Sequence, residues 1–309
     1  MLPAYITHPD CLKHEMGAMH PECPDRIGAI HDLLLIKGLL DCMQTYEAPL
    51  ATEEQLVQAH STSYIQTIAG IAPANGHVQI DPDTSMNSHS YRAALRAAGA
   101  AVLATDLVIE GKAGVAFCNV RPPGHHAGRS SAAGFCFFNN VAVGMRHALN
   151  VHGLKRVALL DFDVHHGNGS EDIFHDDERV LMCSTFGDNL YPFSGTDPLG
   201  PNMVNVPLPP RSGGDVFRAA VTERWLPALE DFKPEMIFIS AGFDGHREDD
   251  MGNLALVEAD YAWVTQLAVD VARRHSGGRI VSCLEGGYAL SALGRSVATH
   301  LKVLVGISE

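Results

Sequence analysis

Paired cysteines are missing from this 309-residue chain: the seven present, at positions 11, 23, 42, 118, 136, 183 and 283, are odd in number and scattered. No Cys-x-x-Cys occurs, which excludes a disulfide-stapled framework and a cysteine zinc cage, so the thiols are expected to be reduced and mostly buried. Positive charge is also scarce, 22 Lys and Arg against 36 Asp and Glu, leaving a formal net charge of −14. A nucleic-acid backbone needs a basic footprint that displaces its counterions, so nucleic acid is excluded as a partner. Cationic partners are favoured instead, although acidity that keeps a cytosolic protein soluble is the plainer account of the charge. Long apolar runs are lacking: nothing approaches the ~20 apolar residues that span a bilayer, and no membrane partner is expected. The opening Met1-Leu2-Pro3-Ala4-Tyr5-Ile6-Thr7-His8 has neither the basic patch nor the apolar stretch of a signal peptide, so a cytoplasmic location is expected. No linker, charge block, low-complexity tract or internal repeat divides the chain, and one domain over residues 1–309 is the expectation.

What is there is the composition of a packed globule, 46% hydrophobic and 19% charged. Nearly continuous apolar runs recur at Val115–Cys118, Arg156–Asp161, Val180–Ser184, Met236–Ser240 and Arg279–Leu284, the pattern of strands covered on both faces. Between and beside them, His89–Glu110, Asn140–Val151, Gly214–Asp231 and Ala259–His275 repeat alanines and aliphatics at helical spacing. The alternation predicts an α/β fold, a parallel sheet with helices on both sides. Four polar clusters follow the runs: Arg121-Pro122-Pro123-Gly124-His125-His126, Asp161-Phe162-Asp163-Val164-His165-His166-Gly167, Asp244-Gly245-His246 and Glu285-Gly286-Gly287-Tyr288. Ligands of open α/β sheets bind at the carboxyl ends of strands, so these loops are expected to converge on one rim.

Asp163 and His165, two apart at a strand end, share a face if the chain stays extended, and Asp161 shares it too. Carboxylate oxygen and imidazole nitrogen suit zinc, whose catalytic sites use three protein ligands and leave a position open. Asp244, after Ile239-Ser240-Ala241-Gly242-Phe243, is the natural third ligand. A lone Asp or His more often makes polar loop contacts. Here, several acids and imidazoles directly after an apolar strand would be costly to bury without a metal or mutual pairing. Manganese or ferrous iron fits an oxygen-rich set as well. His125-His126, after a Pro-Pro-Gly turn, suits a base beside a charged or proton-donating partner, against the alternatives of surface decoration or a metal clamp. Asn168 and Asp161 are available to orient these histidines from behind. Tyr288, after two glycines, offers a phenol to a developing oxyanion, though Gly-Gly-Tyr alone is usually a turn.

Together these motifs and Gly134-Phe135-Cys136-Phe137-Phe138-Asn139-Asn140, in this order and spacing, resemble the zinc-dependent histone deacetylase family. The resemblance runs from His20-Pro21-Glu22 almost to the end of the chain and leans toward the class II-like bacterial deacetylase and acetylpolyamine amidohydrolase branch. It implies the arginase–deacetylase fold, a three-layer α/β/α domain on an eight-stranded, mostly parallel sheet. It implies one catalytic zinc on Asp163, His165 and Asp244, a water deprotonated by His126, His125 as the charged partner, and Tyr288 polarising the acyl carbonyl. Phe135 and Tyr191 would wall a narrow channel around the lysine methylenes, with Gly134, Met251, Gly287 and Asp83 as further substrate positions. The family's structural potassium ions would fall on Asp161, Asp163, His165 and Ser184 in one site and on the Phe174 carbonyl in another.

Two departures bear on chemistry and substrate. Asn168 stands where many relatives carry aspartate, leaving His126 less basic than an anionic partner would. Met251 stands where polyamine-preferring relatives can carry glutamate, although Glu248, Asp249 and Asp250 lie just before it. The expected activity is hydrolysis of acyl-lysine in a peptide or protein, with acetylpolyamine hydrolysis as the alternative enzyme reading. A catalytically silent acyl-lysine-binding module is the non-enzyme alternative, and an arginase-like manganese enzyme would need a two-metal ligand set that is incomplete here. Whether the chain forms a homo-oligomer is left open.

Overall fold

A computed structural model describes residues 1–307. The strands are β1 (Ala4–Thr7), β2 (Gln44–Glu47), β3 (His77–Gln79), β4 (Ser85–Asn87), β5 (Val115–Cys118), β6 (Val157–Asp161), β7 (Val180–Gly187), β8 (Met203–Leu208), β9 (Met236–Ala241) and β10 (Ile280–Leu284). The helices are α1 (Asp25–Ile36), α2 (Glu53–Leu56), α3 (Thr62–Ile71), α4 (Ser90–Ile109), α5 (Asn140–Asn150), α6 (Asn168–Phe174), α7 (Gly214–Ala220), α8 (Leu226–Phe232), α9 (Glu258–His275) and α10 (Leu290–Val305). Eight strands form one sheet in the order β2-β1-β5-β10-β9-β6-β7-β8, every pair parallel, while β3 and β4 form a small antiparallel ribbon.

The central strands are apolar throughout because helices cover both of their faces. All residues of β6, β9 and β10 are buried. Successive side chains then serve two cores. Leu159, Phe238 and Val281 pack with α4 and α5 on one side. Leu160, Ile237, Ile239 and Ile280 pack with α1, α9 and α10 on the other. Alanines along α4 let it lie close to its neighbours, and at Gly99 a Cβ would stand 2.1 Å from the Pro49 carbonyl oxygen. Asn139 caps α5, its side chain accepting from the Ala142 amide at 3.0 Å.

The five expected strands and four expected helical regions all occur, with the region from Gly214 folded as α7, a π turn over Val221–Trp225, and α8. Five of the seven cysteines are buried and all are free. Among the described residues no helix is long and apolar enough to cross a membrane. The strand order sets the site. β5 and β6 follow one another among the sheet strands in sequence, yet β10 and β9 lie between them. The chain therefore departs to opposite sides above this gap, where an open sheet forms its crevice. The loops after β5, β10, β9 and β6 are the four polar clusters.

Candidate active site

Asp163, His165 and Asp244 come together above the ends of β6 and β9, each offering a ligand atom within 4.8 Å of the others. His165 Nδ1 lies 3.2 Å from an oxygen of each carboxylate. Backbone amides hold the acids in place: Asp163 accepts from the His165 amide at 2.9 Å and the Gly286 amide at 2.8 Å, and Asp244 Oδ1 accepts from the Val164 amide at 2.9 Å. The loops must come very close for this, and a Cβ on Gly286 would stand 1.9 Å from Asp244 Oδ2.

That oxygen, Asp244 Oδ2, is buried and accepts no hydrogen bond. An ionised carboxylate oxygen left so is costly unless a cation meets it. Burial, with Asp163 adjacent, pushes the Asp244 carboxyl up to about 6. Burial also opposes charge on His165, but Asp163 and Asp244 hold its imidazole up to about 10. The donors are two buried carboxylates, one oxygen of which accepts no hydrogen bond, and an imidazole that faces the cavity, a set that fits a zinc-type divalent cation.

The adjacent histidines are made different by their partners. His125 Nδ1 lies 3.0 Å from Asp161 Oδ2, and His126 Nδ1 lies 2.7 Å from Asn168 Oδ1. Burial lowers both pKa values. For His125 the carboxylates of Asp163 and Asp161 outweigh burial and keep it charged well above the usual imidazole value. His126, buried beside His125 and facing a neutral amide, is held well below that value. An amide oxygen on Nδ1 requires the proton there, leaving Nε2 a free lone pair. Burial pushes the Tyr288 phenol well above its ordinary value despite the Arg26 cation, so it remains a donor.

One cavity of about 130 Å³ is lined by His126, His165 and Tyr288 together with Gly134, Phe135, Tyr191, Met251 and Asp83. Phe135 stands edge-on to Tyr288 and Tyr191 edge-on to His126, with ring centroids 5.9 Å and 5.1 Å apart. Gly134 and Phe135 both have positive φ, at 54° and 70°. Gly134 has no alternative, since a Cβ there would reach 2.3 Å from the His126 ring. Asp83 is exposed on the cavity wall and accepts from Thr84 Oγ1, which itself accepts from the Phe135 amide. Gly287 is not among the lining residues; its carbonyl is bound by Arg26 at 2.6 Å.

The acids before Met251 are engaged elsewhere. Glu248 pairs with Arg295 at 2.8 Å, and Asp249 accepts from the amides of Met251, Tyr288 and Ala289. Ser184, in the middle of β7, is the register partner of Asp161 at the end of β6, and its hydroxyl lies 3.3 Å from His166 Nδ1. The Phe174 carbonyl lies at the end of α6, where Asn202 Nδ2 donates to it and to the carbonyls of Asp177 and Val180.

A buried platform beneath the site was not assigned a role from sequence. Glu22 receives Arg26 at 3.1 Å and both Nε and Nη2 of Arg121. Arg26 also donates to the Gly287 and Glu285 carbonyls, with its guanidinium 4.9 Å from the Tyr288 ring centre. The Glu285 carboxylate accepts from the Gly124 and His125 amides and from Ser240 Oγ, tying the loops after β5 and β10 to strand β9. Glu22, Arg121 and Glu285 lie within the conspicuous motifs, whereas nothing in the sequence marks Arg26.

Comparison with known proteins gives the family. The histone deacetylase domain model matches residues 20–304. A histone deacetylase-like amidohydrolase of Pseudomonas aeruginosa is 37% identical over 88% of this chain and 73% of its own. A probable deacetylase of Archaeoglobus fulgidus is 35% identical over 100% of this chain and 87% of its own, and the mouse polyamine deacetylase HDAC10 is 36% identical over 92% and 45%. The crystal structure of the HDA15 HD domain superposes with a TM-score of 0.91 at 32% identity, covering 99% of this chain and 90% of that one. The eight-stranded parallel sheet with its helical layers is the arginase–deacetylase fold, and the chain belongs to the histone deacetylase family.

Proposed function

We propose that the chain, acting as one catalytic unit over residues 1–309, is a zinc-dependent amidohydrolase that removes acyl groups from lysine side chains of peptides or proteins. The observation that carries this reading is the single cavity lined at once by a metal-ligand candidate, a neutral histidine, a protonated phenol and an aromatic pair. Zinc on Asp163, His165 and Asp244 would supply Lewis acidity and acidify water toward a pKa of ~7. His126, its Nδ1 proton held by Asn168, offers Nε2 to take a proton from the attacking water. His125, kept charged by Asp163 and Asp161, stabilises negative charge as the carbonyl carbon becomes tetrahedral, and the proton gained by His126 is returned to the leaving amine. Tyr288 donates to the carbonyl oxygen on which that charge grows. Phe135 and Tyr191 grip an unbranched alkyl chain, which suits lysine.

Acetylpolyamine hydrolysis is the second reading, supported by the likeness to a polyamine deacetylase and by Asp83 on the cavity wall. It is weakened by the engagement of Glu248 with Arg295 and of Asp249 with backbone amides, which leaves the apolar Met251 as the residue from that loop lining the cavity. The test is kcat/KM of the zinc-loaded protein for an acetyl-lysine or trifluoroacetyl-lysine peptide against acetylspermidine. A higher value for the peptide is expected. A preference for acetylspermidine would transfer the proposal to polyamines, and no turnover of any acyl amine would end both readings.

A further inference from the structure

A second His and Asp cluster lies at the other end of the molecule. Asp106 is in the last turn of α4, His147 in the last turn of α5, and His152 follows where the chain folds back after that helix. The Nε2 atoms of both imidazoles lie 2.7 Å from the same oxygen, Asp106 Oδ1, and the three ligand atoms are within 4.8 Å of one another. The rings stand edge to face, 5.1 Å apart. Because α4 leads into β5 and α5 into β6, the cluster sits at the amino ends of the strands, away from the rim.

We propose that Asp106, His147 and His152 form a second binding site for a zinc-type divalent transition-metal cation. Two imidazole nitrogens and a carboxylate oxygen are the donor set such an ion takes at about 2.0–2.2 Å. The present separations are those of hydrogen bonds, and ligands around a tetrahedral ion stand further apart. Asp106 is free to make that adjustment, its side chain being 36% exposed against 9% for His147 and 18% for His152.

Two further observations favour a cation. The carboxyl-terminal ends of two helices meet here, and each carries partial negative charge. His147 Nδ1 is buried with no hydrogen-bond partner, so only the Asp106 carboxylate holds the proton on Nε2, and a cation taken up by that carboxylate would free the nitrogen's lone pair. The same lack of outer support predicts weaker binding than at the rim. A metal here would join α4 to α5, which pack against each other and lead into β5 and β6 of the central sheet.

The experiment is equilibrium dialysis of the full chain against zinc chloride, with metal counted by elemental analysis, for the wild type, His152→Ala and Asp244→Asn. The wild type should take up two ions per chain and each variant one. Zinc should raise the thermal midpoint of the wild type beyond the rise seen for His152→Ala, a readout independent of catalysis. Circular dichroism of His152→Ala, a partly exposed loop position, checks folding, and an Asp106→Asn variant repeats the count from the other side. A wild type that binds a single ion, or a second ion that survives both His152→Ala and Asp106→Asn, would overturn the site.

Discussion

Two clusters of buried charge lie beneath the same rim, and they are finished differently. Around Glu22, Arg26 and Arg121, all fully buried, both carboxylate oxygens receive guanidinium groups and the arginines spend their remaining donors on backbone carbonyls. Around Asp163, His165 and Asp244, also buried, one carboxylate oxygen accepts no hydrogen bond. The charge there is balanced only by the proton on His165 Nδ1, 3.2 Å from that oxygen, which is the place the proposed metal would take. The first cluster is complete without a ligand, and the second is the proposed metal site.

Metal removal is the strongest test of that contrast. Chelation should reduce deacylation to background and added zinc should restore it. Zinc at a hundredfold excess over its dissociation constant should also stabilise the fold by ~2.7 kcal/mol, read as a rise in the thermal midpoint. Full turnover by protein shown by elemental analysis to be metal-free would remove the distinction. Next comes Glu22→Gln, which leaves two buried guanidinium groups short of a counter-charge. It should cost ~3–5 kcal/mol in urea unfolding, and kcat should fall as well because Arg26 holds the carbonyls on either side of Gly286. An unchanged unfolding midpoint would mean that the platform is not the scaffold described here.

Tyr288→Phe probes the functional side with the fold left intact. Losing one donor to a developing oxyanion should lower kcat by ~10²–10³-fold, with KM and the thermal midpoint little changed. A loss of stability comparable to that of Glu22→Gln would instead assign Tyr288 to the platform through its contact with Arg26.

Legibility in the sequence follows the same division. The inner strands could be read because burial on both faces demands unbroken apolar runs, as in Met236–Ala241 and Ile280–Leu284. The outer strands could not. β2 reads Gln-Thr-Tyr-Glu and is largely exposed, and β8 carries Pro207, tolerated on an edge that needs no donor there. Among the site residues, Asp163 and His165 were legible as close neighbours after a strand, and Asp244 as the acid after another. Arg26 was not: it reaches Gly287 across 261 positions, and a single arginine in an amphipathic helix carries no mark of that. That Glu248 and Asp249 are engaged was not legible either, since their partners Arg295 and the Tyr288 amide are distant in sequence.

Buried histidines away from the rim give the smallest effect and sharpen the comparison from a third direction. His60 donates from Nδ1 to the Gly128 carbonyl at 2.9 Å and accepts the Asn139 amide on Nε2 at 2.9 Å, so the neutral ring is fully satisfied. His300 is held between Thr265 and Ser282 hydroxyls at 2.7 Å and 3.0 Å. Burial lowers their pKa values from 6.5 to about 4 and about 3. Below pH 6.5 the unfolded chain binds protons that the folded chain refuses, so stability is complete above that value and declines as pH falls. Each histidine should contribute a slope of ~1.4 kcal/mol per pH unit, levelling off near its folded pKa. His60→Gln retains a donor and an acceptor but does not titrate. Urea midpoints of metal-free wild type and variant, compared between about pH 6 and pH 5, should therefore converge as the solution becomes more acidic. Parallel lines would show that His60 takes up its proton in the folded state, and that a buried imidazole in this protein need not be either neutral scaffold or part of the charged rim.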